Sequence, residues 1–161
     1  MNALARPEVG RYLNARFVSS FQKVGTFRVA GRQKQGGNVA GYFCTPDLRV
    51  LHALAGPVNA ATLLREARWV VESHKLALLE GADDSSLPAF FREAHAERLR
   101  IEHGIDLQTG GGALRGRQTP QAQVHLLLTA APLARIDQVY KLVFENILGE
   151  QVSTAPIVQV R

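Results

Sequence analysis

One cysteine and five histidines hold most of the reactive chemistry in this 161-residue chain: Cys44, His52, His74, His95, His103 and His125. A single thiol cannot form an internal disulfide, a CxxC redox pair or a cysteine-rich zinc site. Cys44 lies in the apolar run Val39 to Thr45 (VAGYFCT), where its ordinary fate is that of a small buried hydrophobe. Its reactive alternative needs exposure and a lowered pKa. His52 lies in the next run, Arg49 to Ala55 (RVLHALA), and pairing of the two runs would set the imidazole across from the thiol. Cys44 and His52 are thus the candidate nucleophile and base, with no third group evident to orient them.

The other histidines show no metal-binding pattern. His95 and His103 are eight residues apart on one predicted helix. That is more than two turns, whereas shared ligation along a helix wants a spacing near i, i+4. There is no HExxH, so most histidines read as surface side chains and no metal or other cofactor is implied. Gly110-Gly111-Gly112 with Arg115 and Arg117 lacks the preceding strand and the lysine-serine ending of a phosphate loop. It reads as a flexible linker. The basic, glycine-rich stretch Gly31 to Gly37 has two readings: a solvated loop, or a contact loop for a protein partner through Arg32, Lys34, Gly36, Gly37 and Asn38. The acid pairs Asp83-Asp84 and Glu93/Glu97 read as solvated.

The elements that must position these residues follow from periodicity and punctuation. Pro7 suits a first helical position, and Val9, Tyr12, Leu13 and Phe17 recur at helical spacing. Phe17 to Val24 alternates apolar and polar residues as a strand does. Residues 25–38 read as a loop. VAGYFCT, PDL and RVLHALA read as a β-hairpin, closed by Gly56-Pro57. Asn59 is placed to cap a helix ending near Leu79. Its apolar face is Leu63, Leu64, Ala67, Val70, Val71 and His74, with Arg65, Glu66, Arg68 and Glu72 mostly opposite. A helix from Leu87 to His103 ends at Gly104, another starts at Thr119-Pro120 and breaks at Pro132, and a third runs from Ile136 to Leu148. The tail from Glu150 has no evident partner.

Composition narrows the function classes. Hydrophobic residues make up 46% and charged residues 20% of the chain, enough apolar material for a folded core without disulfides. The net charge of +5 is scattered, so no nucleic-acid partner is indicated. No apolar run approaches membrane-spanning length. No secretory signal is visible at the N-terminus, which makes the cytoplasm the default compartment.

The segments PEVGRYLNARFV and NVAGYFCTPDLRVLHALAGPVNAATLLREARWVVE, spanning Pro7 to Glu72, resemble the thioredoxin-like family. In that family a helix ending in a YLN-type segment leads to a strand, followed by a hydrophobic strand, a PDG-type turn, a strand ending in glycine and a closing amphipathic helix. The turn here is Thr45-Pro46-Asp47-Leu48-Arg49-Val50, and Gly56 matches the closing glycine. The resemblance implies an α/β sheet-and-helix sandwich, incomplete at its N-terminus, over residues 1–80. A helix and glycine-rich linker over 81–118 and a helical extension and tail over 119–161 would follow it. The family's chemistry uses a CxxC ahead of the YLN segment, where one thiolate attacks a disulfide and the other resolves it, and a cis-proline before the hydrophobic strand. This chain has no CxxC, and Asn38 stands at the proline position. The expectation is therefore a redox-inactive binding or scaffolding module. The alternative is a thiol-disulfide oxidoreductase whose CxxC segment lies upstream of Met1, the chain beginning part-way along that first helix.

Overall fold

The computed structural model describes residues 3–23, 28–30, 33–35, 38–108 and 118–152. It is a mixed α/β structure. Helix α1 spans Pro7–Arg16, the short strands β1 and β2 span Arg28–Ala30 and Gln33–Gln35, and β3 and β4 span Ala40–Cys44 and Val50–Ala55. Helices α2 (Ala60–Leu79), α3 (Leu87–His103), α4 (Pro120–Ala130) and α5 (Ile136–Leu142) follow, and α5 runs on as one π-helical turn over Val143–Ile147. Helix ends follow local chemistry. Asn59 Oδ1 accepts the Thr62 N–H at 2.8 Å to cap α2, Thr119 Oγ1 accepts the Ala122 N–H at 3.2 Å to cap α4, and Gly104 closes α3 in the left-handed conformation (φ 65°).

The described strands form two antiparallel pairs, β1 with β2 and β3 with β4. Two expectations change here. Part of the expected loop over 25–38 is the β1–β2 pair. The expected strand from Phe17 is not formed over 17–23, where Val18 and Phe21 stand fully exposed. The apolar residues of the run fall at 17, 18, 21 and 24 and not at every second position, and no ladder partner lies beside it among the described residues.

The β3–β4 hairpin has the expected PDL turn. Thr45 and Arg49 close it, with the Thr45 N–H donating to Arg49 O at 2.9 Å. Leu48 is held at φ 66°, the conformation that glycine takes without steric cost. Further along, the register passes from Phe43↔His52 to Cys44↔Val50. Leu51 is therefore an extra residue in β4, a β-bulge that leaves it outside the ladder.

Helices cover both faces of this hairpin. On one face, Phe43, Leu51 and Leu54 pack with Ala67 and Val70 of α2 and with Phe91 of α3. On the other, Val50 and Ala53 pack with Val124 and Leu128 of α4, Val139 of α5 and Val143 of the π turn. Leu99 and Ile105 meet Ala122 between α3 and α4. Residues expected in a linker and an extension thus share core clusters with the hairpin. Glu150, expected to lack a partner, accepts the Asn38 N–H with its carboxylate at 3.1 Å.

Candidate functional site

The hairpin, α2, α3 and α4 converge on a buried polar cluster. β4 supplies His52, α2 supplies Glu66 and Trp69, α3 supplies His95, Arg98, Glu102 and His103, and α4 supplies His125. His95, Arg98 and Glu102 follow i, i+3, i+7 spacing and so share one stripe of α3. His52, His95 and His125 are between 0% and 1% exposed, and Glu66 is 2% exposed. This corrects two expectations: these three histidines are core residues, and Glu66 lies on the buried side of α2.

Charge is balanced inside the cluster. The Glu66 carboxylate accepts Arg98 Nη2 at 3.1 Å and a second, shorter bond from Arg98 Nη1. It also accepts Arg65 Nε at 2.9 Å. Arg98 Nε donates to Glu102 Oε1 at 2.7 Å, and the guanidinium lies 4.7 Å from the centroid of the Trp69 ring, a cation–π contact. Burial works against the charge on Glu66, but contacts from His52, Arg98 and Arg65 outweigh it and hold the carboxyl well below its usual range. Burial works against the Arg98 charge too, and Glu66 and Glu102 overcome it.

Burial favours the neutral form of His52, His95 and His125. Burial, aided by His52 and Arg98, pushes His95 down to about 3. Burial, aided by His52, His95, Arg98 and His103, pushes His125 down to about 2. Burial lowers His52 as well, against the opposing pull of Glu66. His52 stacks with Phe43 at 6.2 Å and meets the edge of Trp69 at 5.1 Å. Its Nε2 lies 3.2 Å from Glu66 Oε2 but off hydrogen-bond alignment, so neither ring nitrogen has a directional partner.

The remaining tautomers follow from one carbonyl. His95 Nε2 lies 2.9 Å from Leu51 O, the oxygen of the bulged residue. A carbonyl only accepts, so His95 carries its proton on Nε2 and presents a lone pair on Nδ1. His125 Nδ1 lies 2.9 Å from that Nδ1 and must be the donor. The His125 Nε2 is then a lone pair, buried and without a hydrogen-bond partner.

The expected Cys44–His52 dyad is not formed. Cys44 opposes Val50 and His52 opposes Phe43. Adjacent ladder positions point to opposite faces of a sheet, and Cys44 packs on the Val50, Ala53 and Val124 side. Burial pushes its thiol up to about 11, the reverse of activation. Of the expected contact loop, Arg32, Gly36 and Gly37 lie outside the described residues, Lys34 pairs with Val29 in the β1–β2 ladder, and Asn38 is exposed. The glycine-rich run with Arg115 and Arg117 also lies outside them.

Sequence reasoning missed the roles of Glu66, Arg98 and Glu102 and the His95–His125 contact. A signal for part of this was present, since His95, Arg98 and Glu102 share a stripe with Phe91 and Leu99, where polar residues must find partners. Two surface depressions, one lined by Ala3, Arg6, Glu8, Asn59, Ala60, Ala61 and Leu64, the other by Gln123, Leu126, Leu127, Leu142, Asn146 and Ile147, lie apart from the cluster. No described helix is long and apolar enough to cross a membrane. No family model, curated protein or solved structure matches the chain.

Proposed function

We propose that the chain is a redox-inactive, thioredoxin-like module that acts by binding a protein partner. The observation that carries this reading is the placement of Cys44. The only thiol faces an aliphatic cluster, its pKa is raised, and its candidate base, His52, lies on the opposite face of the hairpin. The other acid–base pair, His52 with Glu66, is 0% and 2% exposed and so is closed to solvent. Two backbone features support the family resemblance. Leu48 holds the left-handed conformation that the family's turn glycine would take, and Gly56 after the last strand sits at φ 93°. The run 17–23, with exposed Val18 and Phe21, suits a contact role, because large apolar side chains standing free of any helix or strand are open to a partner.

The test is insulin-disulfide reduction with dithiothreitol as the electron source. The chain is expected to give the uncatalysed rate, unchanged by Cys44→Ser. Turnover by the intact chain that Cys44→Ser abolishes would overturn the reading.

A further inference from the structure

We propose that the outer end of the polar cluster, formed by His125, His103 and Glu102, is a binding site for a divalent transition-metal ion of the zinc class. One potential ligand atom from each of these residues lies within 4.8 Å of the others. Tetrahedral ligation at about 2.0–2.1 Å places ligand atoms roughly 3.4 Å apart, so closure needs only a small inward movement. Two residues have that freedom. His103 is the last residue of α3, and the Glu102 side chain is 37% exposed.

The nitrogen chemistry points to a metal. His125 Nε2 and His103 Nε2 are both buried atoms without a hydrogen-bond partner, and His125 itself is 0% exposed. The chain from Leu51 O through His95 fixes the His125 Nε2 as a lone pair. That is the outer-sphere arrangement that orients a metal-bound imidazole, with its second nitrogen donating to a fixed acceptor. The carboxylate is oriented in the same way, because Glu102 Oε1 accepts from Arg98 Nε at 2.7 Å. Glu102 is ion-paired to Arg98 through Oε1 at 2.6 Å, so Oε2 is the oxygen it would offer the ion. Two imidazoles and one carboxylate with a fourth position for water is a set used by zinc and by other borderline divalent ions.

A second trio, His52, His95 and His125, also gathers within 4.8 Å. It carries no site, because both His95 nitrogens are committed to hydrogen bonds and all three rings are sealed from solvent.

The experiment is titration of the untagged, chelator-stripped chain with Zn²⁺ by calorimetry, and with Co²⁺ by visible absorption. One equivalent of each is expected, with the intense Co²⁺ bands of a four-coordinate site, displaced by Zn²⁺. His103→Ala and Glu102→Gln each alter a side chain outside the sealed core. Each is expected to weaken binding at least about 10- to 100-fold, since even outer-sphere partners are worth that much. His74→Ala should leave binding unchanged. Failure of the wild-type chain to take up one saturable equivalent, or equal uptake by both ligand variants, overturns the proposal. Neither result bears on the redox assay.

Discussion

The two faces of the β3–β4 hairpin are built from neighbouring residues and behave as different materials. The Cys44 face is aliphatic, filled by Val50, Ala53, Val124, Leu128 and Val139. The His52 face is aromatic and ionic, with stacked imidazoles, Trp69 and the Glu66–Arg98 pair. The first gains its stability from removing apolar surface from water, which tolerates small changes of shape. The second depends on each buried charge keeping its partner. A thiol and an imidazole that look adjacent across a turn are thus separated by the sheet itself, because one step of register moves a side chain to the other face.

The contrast can be broken most forcefully at Arg98. Arg98→Met leaves the Glu66 carboxylate in the core without its main cation, and urea unfolding is expected to show a loss of about 3–5 kcal/mol. Glu66→Leu/Arg98→Met removes both charges and should recover most of that loss. A double variant as unstable as the single would mean that packing around Trp69, and not the ion pair, dominates this face. On the opposite face Cys44→Ala is expected to cost about 1 kcal/mol or less, the scale of one small group partly withdrawn from apolar contact. A loss comparable to that of Arg98→Met would remove the distinction between the faces.

The sequence was informative where local rules decide. Asn59, Thr119 and Gly104 mark helix ends by capping chemistry, and Pro46-Asp47 marks the hairpin turn. It was silent where chemistry depends on contacts between elements. His95 and His125 are thirty residues apart and meet only because α3 packs on α4. Their bond to the chain depends on the Leu51 bulge, which no periodicity announces. Glu66 reads as a solvent-facing acid on a helical wheel, and only the arrival of Arg98 from α3 makes its burial tolerable. The Phe17 run shows the converse limit: its mix of apolar and polar residues reads as a strand, but its apolar positions 17, 18, 21 and 24 do not alternate, and pairing is a property of two segments.

The central claim is that the His52 face is a closed core of neutral imidazoles. Its most direct test is urea unfolding as a function of pH, in the presence of chelator. His52, His95 and His125 all have pKa values below their unfolded value of 6.5. The unfolded chain therefore binds more protons than the folded one below that pH, and stability must fall as pH drops. Three such groups give a slope approaching about 4 kcal/mol per pH unit. The loss should begin near pH 6.5, continue towards the folded value of about 3 for His95, and be joined below about 4.5 by Glu66, whose pKa is also depressed. The account predicts cooperative acid unfolding with uptake of close to three protons between about pH 6 and 5. Stability that stays level from pH 7 to 5 would contradict it, because the imidazoles would then be free to take up protons in the folded chain.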